Sequence, residues 1–167
     1  MAVLPDVLEP NLKVVFCGTA VGTQSAQASA YYAGRGNRFW DVLFEIGLTP
    51  RKLDPQEFRS LPAYGMGLTD LVKVDFGSDD TLHRTDFDVE GLRAKIAHFA
   101  PETLAFNGKR AAKEFLGHSV EYGRQPEQVK TTALFVLPST SGAARRWWNI
   151  SYWQELAKRA SESRHQG

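Results

Sequence analysis

The sequence predicts an α/β fold in which helices cover both faces of a central, mainly parallel sheet of four strands. Short apolar segments that fit strands alternate with amphipathic segments that fit helices, and this alternation is typical of parallel sheets. The clearest apolar segments are continuous, as expected of strands that are buried on both faces. With 167 residues, of which 43% are hydrophobic, the chain can form one domain with a full core.

The elements can be placed along the chain in order. An arm over residues 1–12 is followed by four predicted strands, at residues 13–17, 67–72, 103–106 and 131–137. Asn37 can cap a helix that Gly47 ends, and Pro101 stops a later one. The predicted helices are residues 37–46, a short helix opening at Asp54-Pro55, residues 89–99, a helix from Asn107-Gly108 through Leu116, and residues 150–160. We expect a single domain over residues 1–167.

Composition excludes several classes of protein. The net charge is +1, so binding to nucleic acid would require a local basic surface. Cys17 is the single cysteine; it rules out an internal disulfide and lies in an apolar segment, which favours a buried, inert thiol. The sequence has no secretory leader and no apolar run of about 18 residues. We therefore expect a cytoplasmic protein without a membrane segment, and the nearly even charge favours a monomer.

The carboxyl ends of parallel strands lie at one edge of a sheet, where α/β proteins bind their ligands. Glycine, serine, threonine and asparagine dominate the predicted ends, which contain one acid, Asp70, and no histidine. The first end, Gly18–Gly22, is predicted as a tight turn whose small residues would let the backbone approach a flat ligand. The other three ends are Thr69–Asp70, Asn107-Gly108 and Pro138–Gly142.

Several familiar catalytic motifs are absent. The Gly18–Gly22 segment lacks the lysine and the hydroxyl residue of a P-loop. Ser139 and Ser141 do not lie in a G-x-S-x-G motif. The histidines occur singly, away from metal-ligand spacing, and are interpreted as surface residues: His83, His98, His118 and His165.

Basic and aromatic residues next to the predicted strand ends are candidates for ligand binding. Three basic pairs would place positive charge around one rim, which suits the phosphates of nucleic acid; for any one pair, a solvated helix start is the alternative. Tyr31 is expected to pack a loop against the core, whereas Tyr32 could pack or stack on a ligand. We interpret Trp147 and Trp148 as core or helix-docking residues. The basic pairs are Arg35 and Arg38, Lys109 and Arg110, and Arg145 and Arg146.

Five sequence blocks together resemble the uracil-DNA glycosylase superfamily. They are "VVFCGTAVG", "GRGNRFWDVLFEIGLTPRKLDPQE", "YGMGLTDLVK", "LAFNGKRAA" and "VLPSTSGAARR", in order between Leu12 and Arg146. The sequence is most similar to the mismatch-specific uracil/thymine branch, while "LPSTS" is more similar to the hypoxanthine-DNA glycosylase branch. A lone cysteine is incompatible with the iron–sulfur branches.

The resemblance implies a three-layer α/β/α domain that flips a damaged base out of DNA and hydrolyses its N-glycosidic bond. The products would be an abasic site and a free base such as uracil. It implies no metal and no cofactor. The DNA partner would carry uracil in a single strand, a pair or a mispair.

The resemblance also implies roles for individual residues. Two usually catalytic positions are altered, because Ala20 replaces an asparagine of the mismatch branch and Ser139 replaces an asparagine or histidine. Tyr32 matches the aromatic side chain that stacks on the flipped base. The implied base pocket comprises Gly18, Thr19, Ala20, Val21, Gly22, Tyr32, Asn107 and Ser141. The implied loop that enters the duplex comprises Gly142, Ala143, Ala144, Arg145 and Arg146, in which the alanines make a poor wedge. Arg145 or Arg146 would fill the gap instead, and a weak wedge predicts a preference for uracil in mispairs or single strands.

Glycosidic cleavage separates charge, so an enzyme can act mainly by stabilising a base anion and a sugar cation. Asn37 is the first candidate to hold the attacking water; the alternative is a helix cap worth about 1 kcal/mol. Asp70 is the second candidate catalytic residue. It could accept from uracil N3–H, or donate to O4 if burial raised its pKa. Backbone N–H groups of Gly18–Gly22 and the Ser139 hydroxyl could donate to the base.

Several functions remain open at this point. The first is an active, monofunctional uracil-DNA glycosylase. Ala20 and Ser139 motivate the second, a catalytically silent binder of uracil or abasic DNA. A hypoxanthine-specific DNA glycosylase and an enzyme acting on free nucleosides or nucleotides are the others.

Overall fold

A computed structural model describes residues 4–76 and 87–162 of the chain. Its sheet has five strands in the spatial order β2-β1-β3-β5-β4, and only β4 is antiparallel to its neighbour. The strands are β1 (Val14–Val21), β2 (Met66–Phe76), β3 (Thr103–Asn107), β4 (Gly123–Val129) and β5 (Thr132–Leu137). The α-helices are α1 (Thr23–Ala28), α2 (Phe39–Glu45), α3 (Val89–Phe99), α4 (Lys109–Leu116) and α5 (Ile150–Glu162), and 3-10 helices span Pro55–Tyr64 and Gly142–Trp147.

The predicted fold class is confirmed, but the predicted number of four strands is wrong. The missing strand, β4, alternates between buried and exposed residues and contains Pro126. Proline is confined to edge strands or bulges of a sheet, because it cannot donate a backbone hydrogen bond. β4 therefore lies at the edge, where a mostly polar sequence gives only a weak strand pattern.

Two apolar cores lie on opposite faces of the sheet and make the domain three layers deep. One core surrounds Phe16, Phe39 and Trp153 and holds side chains of α2 and α5. The other surrounds Phe106 and Phe115 and holds side chains of α3 and α4. Residues of β1 alternate between the two cores, which explains the continuous apolar segment in its sequence.

The predicted N-terminal arm is docked along the outer edge of β2. Val7 forms an antiparallel bridge with Leu68, and both backbone hydrogen bonds of the bridge are present, at 2.9 and 3.0 Å. Asp6 accepts a hydrogen bond from the Thr69 hydroxyl at 2.8 Å and pairs with Lys95 at 2.6 Å. The arm thus covers part of an otherwise open sheet edge.

The predicted turn at Gly18–Gly22 is wrong, because β1 continues through Val21 before α1 begins. In this part of the strand Gly18 pairs with Asp70 of β2, and the register shifts between Ala20 and Val21. The expectation that Asp70 ends a strand is also wrong, since β2 continues to Phe76. The last residue pair between β1 and β3 is Cys17 with Phe106. Both β1 and β2 continue beyond the level of this pair.

Candidate functional site

The topology itself places a crevice between β1 and β3. The chain leaves β1 to form β2 on one side and returns to form β3 on the other. Helices that precede β2 pack on one face of the sheet and α3 packs on the opposite face. Open α/β sheets bind ligands outside the carboxyl ends of the strands at such a switch point. Gly18 and Asn107 are the first residues beyond the last paired positions of these two strands.

Two polar side chains converge over Gly18 at the floor of this crevice. A Cβ atom added to Gly18 would lie 3.0 Å from Asp70 Oδ1 and 3.4 Å from Tyr32 Oη. Asp70 is only 4% exposed, an uncommon position for a carboxylate. Glycine at position 18 therefore leaves space for a carboxylate and a phenol, rather than supplying a turn.

Tyr32 is held in an unusual conformation. Its φ of 53° is in the left-handed region, which is costly for a bulky side chain and is concentrated at functional sites. Its ring stacks on Phe39, with centroids 4.1 Å apart. The hydroxyl is buried and has no hydrogen-bond partner within residues 4–76 and 87–162.

The ionisation of Tyr32 is set by its surroundings. Burial, and secondly the charge of Asp70, raise the pKa of the hydroxyl well above its ordinary value, while the nearby Asn107 acts in the opposite direction. Tyr32 is therefore a neutral phenol near pH 7. A buried donor without an acceptor destabilises the protein, and a ligand or water that accepts its hydrogen bond would remove this cost.

Tyr31 has the packing role that the sequence suggested. It is 2% exposed, and its hydroxyl donates to the Pro5 carbonyl at 3.0 Å. Its own carbonyl accepts a hydrogen bond from Trp40 Nε1, also at 3.0 Å. These contacts fix the segment that carries the strained Tyr32.

Thr140 joins three segments at the crevice and was not singled out from the sequence. Asn107 Nδ2 donates to the Thr140 hydroxyl at 2.9 Å, and Asn107 Oδ1 accepts from the Thr140 N–H at 3.0 Å. The Thr140 carbonyl accepts from the Arg38 N–H at 3.0 Å. The side chain is fully buried. Its position between two serines after the clearest predicted strand was the available signal.

Ser139 and Ser141 stabilise the backbone of their own loop. Ser139 Oγ accepts from the Ser141 N–H at 3.1 Å, and Ser141 Oγ accepts from the Ala143 N–H at 3.2 Å. Each oxygen acts as an acceptor, which leaves each hydroxyl hydrogen for a further acceptor such as a ligand. Ser139 also lies against Gly108, whose φ of 115° favours glycine.

Asn37 lies one residue before Arg38, the N-cap of α2, and its side chain still bonds to the first turn of the helix. Its Oδ1 accepts from the Phe39 N–H at 3.0 Å, at the start of α2. The bond uses only the carbonyl oxygen of the amide and leaves its NH₂ group for another partner. Capping and a role in holding water are therefore compatible.

The residues predicted as a base-binding turn occupy different environments. Gly18 is buried, whereas Thr19 and Ala20 are half-buried. The Val21 side chain belongs to the core around Phe16, so only its backbone could contact a ligand. Gly22 is exposed, and a Cβ added there would meet nothing within 4 Å.

Two loops that carry predicted DNA-binding residues pack together. Gly36 lies against Gly142, where an added Cβ would be 3.4 Å from the Gly36 carbonyl oxygen. Beside this contact is an open groove of about 810 Å³, lined partly by Arg38 and Arg145. Ala143, Arg145 and Arg146 are exposed in the second loop, and Arg35 is exposed in the first.

The other basic pair, at the start of α4, already has partners within the chain. Lys109 Nζ lies 4.5 Å from the centroid of the Tyr122 ring. Arg110 pairs with Glu114 at 3.3 Å and lies over the Phe87 ring. The structure thus brings Arg38 and Arg145 to one groove, and leaves Lys109 and Arg110 on a helix.

The two adjacent tryptophans have different environments. Trp148 packs against the core, 6.0 Å from the Trp153 ring, as the sequence suggested. The same interpretation is wrong for Trp147, which is 57% exposed. Sequence alone could not separate them, because they are identical neighbours at the end of a short helix.

Metal-binding clusters and membrane-spanning helices are both absent from the described part of the chain. In residues 4–76 and 87–162, no group of three histidine, cysteine or carboxylate residues is placed to hold a metal ion. No helix within the same ranges is long and apolar enough to cross a membrane.

The protein is a three-layer α/β/α domain, and the crevice lies at the switch point of its sheet. A family model described as the Uracil DNA glycosylase superfamily matches residues 5–157, and the chain belongs to that superfamily. This membership indicates a DNA glycosylase, a hydrolase of base excision repair. The superfamily suggested by the sequence is thus confirmed.

One similar solved structure supports the fold. It is the solution NMR structure of a protein from Methanosarcina acetivorans that is provisionally described as a uracil DNA glycosylase. The two chains are 22% identical and superpose with a TM-score of 0.63. The match covers 95% of this chain and 96% of that one, so the likeness extends over the whole domain.

Proposed function

We propose that this protein is a monofunctional glycosylase that removes uracil from DNA. The observation that carries the proposal is the pair of buried polar groups, Asp70 and Tyr32, that converge over Gly18 between β1 and β3. The Asp70 carboxylate supplies hydrogen-bond acceptors, and the neutral Tyr32 phenol supplies a donor. Uracil presents an N3–H donor flanked by two carbonyl acceptors, so the two sets of groups are complementary.

Asp70 is the residue we assign to the N3–H group of the base. Its carboxylate is buried over Gly18, next to the Tyr32 hydroxyl. A hydrogen bond to a charged group contributes about 1.5–3 kcal/mol. The same bond would discriminate against bases that lack a donor at this position.

The departing base carries negative charge, which hydrogen-bond donors would stabilise. The Tyr32 hydroxyl and the hydroxyl hydrogens of Ser139 and Ser141 can each donate to a carbonyl oxygen. In comparable oxyanion sites one donor lowers the activation barrier by about 3–4 kcal/mol. Two or three such donors would compensate for the absence of a polar side chain at Ala20.

Asn37 is the residue we assign to the attacking water. Its NH₂ group is left after the cap hydrogen bond to Phe39. Its loop is tied to the crevice through the Arg38–Thr140 hydrogen bond. Phosphates of the DNA would contact Arg35, Arg38, Arg145 and Arg146, with Lys109 and Arg110 further along the surface.

Hypoxanthine is the second candidate base. Its N1–H and O6 present the same donor and acceptor, side by side, as N3–H and O4 of uracil. Asp70 and Tyr32 could therefore bind either base by the same hydrogen bonds. The "LPSTS" block of this sequence (Leu137–Ser141) favours the hypoxanthine branch.

The experiment uses labelled oligonucleotides that contain one uracil or one hypoxanthine, single-stranded, paired or mispaired. Each is incubated with protein and EDTA, and hot alkali then reveals abasic sites. We expect cleavage at uracil that Asp70→Asn reduces strongly. Asp54→Asn is the matched control, because Asp54 is an exposed carboxylate that caps the 3-10 helix Pro55–Tyr64, where asparagine caps equally well.

Three results would contradict the proposal in different ways. Cleavage at hypoxanthine alone would assign the other base. Binding of uracil-containing DNA without cleavage would indicate a catalytically silent binder. Equal loss of cleavage in Asp54→Asn and Asp70→Asn would show that Asp70 has no specific role in the site.

A further inference from the structure

A large apolar side chain is exposed in the loop that follows Thr140. Trp147 and Phe44 are the large apolar side chains that stand out on the described surface, with 57% and 48% exposure. Trp147 ends the 3-10 helix Gly142–Trp147, whereas Trp148 turns into the core. Leaving an indole ring in water forgoes the free energy that its burial would contribute. Such a residue is a candidate for contact with a partner.

The surroundings of Trp147 indicate the chemistry of that partner. Residues 138–148 contain two arginines and no acid. The Arg146 guanidinium lies 5.0 Å from the centroid of the Trp147 ring. Arg145 lines a groove with Trp148, the residue next to Trp147; three basic residues (Arg38, Lys52 and Arg145) and two acids (Asp41 and Glu45) contribute to its lining. A flat apolar ring beside two cations is complementary to a flat base on an anionic backbone.

Trp147 is also fixed relative to the crevice. Its helix starts at Ser141, which caps the Ala143 N–H, and Gly142 packs on Gly36. Thr140, the residue before this cap, is held by both atoms of the Asn107 amide. A base stacked on Trp147 would therefore belong to the same stretch of DNA as a base held in the crevice.

We propose that Trp147 stacks on an unpaired base of the DNA, next to the base that enters the crevice. This inference rests on the proposed function for the identity of the ligand. Ala143 and Ala144 are too small to support bases that lose their stacking neighbour, and the indole ring provides the missing area. The contact favours single-stranded or loosened DNA, in which bases are already unstacked.

The test measures binding apart from cleavage. Oligonucleotides carry a tetrahydrofuran abasic analogue, which has no glycosidic bond to cut, next to the fluorescent base 2-aminopurine. We expect Trp147→Ala to weaken binding to the single strand about 5- to 100-fold, and Trp147→Phe to recover part of the loss. The wild type should quench 2-aminopurine, and Trp147→Ala should not. His98→Ala, which removes an exposed aromatic ring on α3 at the opposite face of the sheet, is the control and should bind as the wild type does.

Further measurements separate this proposal from its alternatives. The salt dependence of binding should be the same for Trp147→Ala and the wild type, because indole releases no counterions. An unchanged dissociation constant and unchanged quenching in Trp147→Ala would overturn the proposal and assign this surface to another partner. Uracil excision by the wild type, together with unchanged DNA binding in Trp147→Ala, would support the proposed function and contradict the stacking role of Trp147. Weakened binding in Trp147→Ala, without excision of any base by the wild type, would support the stacking contact and contradict the proposed glycosylase activity.

Discussion

The crevice and the loop beside it differ in how their polar groups are used. In the crevice, Asp70 and the Tyr32 hydroxyl are buried over Gly18. In the loop Ser141–Trp148, the serine hydroxyl holds the backbone, and Arg145 and Arg146 extend into solvent. Both regions depend on Thr140, which links the end of β3 to the start of the loop.

This difference separates two tasks. Groups in a buried site keep fixed positions and interact strongly, so they suit discrimination between bases and stabilisation of developing charge. Exposed cations and rings contact a long polymer through many weak, salt-sensitive interactions. Substitutions in the crevice should therefore change cleavage more than binding, and substitutions in the loop should do the opposite.

The largest effect is expected from Gly18→Ala. The added methyl group would lie 3.0 Å from Asp70 Oδ1 and 3.4 Å from Tyr32 Oη, so at least one side chain must move. We expect cleavage to fall at least about 100-fold, because displacement by about 1 Å can have this cost. Overpacking should also destabilise the fold by about 1–3 kcal/mol. Gly22→Ala, which meets nothing within 4 Å, should cleave normally; loss of activity in both variants would contradict the account.

The second effect is expected from Tyr32→Phe. Loss of one donor to the base should lower the rate about 100-fold, whereas removal of a buried, unsatisfied hydroxyl should leave the unfolding temperature unchanged or raise it. Tyr31→Phe is the control. It removes a hydroxyl that is bonded to Pro5, so it should cost about 1 kcal/mol of stability with little effect on cleavage. If Tyr32→Phe cleaves at the wild-type rate, the phenol is not a donor to the base.

Thr140→Val should have an intermediate effect. Valine keeps the shape of threonine but leaves Asn107 Nδ2 without its acceptor, which costs about 1–3 kcal/mol when a buried group loses its partner. We expect a matching fall in the free energy of unfolding by urea, and weaker DNA binding as the loop loosens. Thr49→Val, which removes another buried hydroxyl, bonded to the Arg51 carbonyl, should destabilise without changing DNA binding. Equal DNA binding by both variants would show that Thr140 does not position the loop.

The smallest effect concerns the His118–Glu127 pair, far from the crevice. The Ser119 carbonyl, and then Glu127, raise the pKa of His118, while His118 lowers the pKa of Glu127. Stability from the pair is present above the ordinary glutamate pKa and below the ordinary histidine pKa, between about pH 4.5 and 6.5. It is lost as the pH rises through the raised value or falls through the lowered one. His118→Gln should flatten this part of a plot of unfolding temperature against pH, by a small amount because the pair is exposed; an unchanged profile would show that the pair contributes nothing.

The sequence predicted the features that depend on local pattern. Continuous apolar segments identified β1, β3 and β5, and caps such as Asp54 and stops such as Pro101 placed helix ends. β4 was missed because a half-buried edge strand needs few apolar residues. The blocks around Asn37, Asp70 and Asn107 identified the superfamily.

The features that were missed depend on packing between distant segments. The extension of β1 past Cys17 depends on pairing with β2, since Gly18 by itself suggests a turn. The burial of Thr140 depends on Asn107, which is 33 residues away. The exposure of Trp147 follows from the direction in which a short helix ends, and no pattern in "RRWW" (Arg145–Trp148) specifies that direction.

The most direct test of the division between crevice and loop is a single-turnover measurement on uracil-containing DNA. The rate at saturating protein and the dissociation constant would be compared for Asp70→Asn and Arg145→Ala. We predict that Asp70→Asn lowers the saturated rate with little change in affinity, and that Arg145→Ala weakens affinity and reduces its salt slope by about one. A saturated rate that falls equally in both variants would contradict the separation of base chemistry from DNA binding.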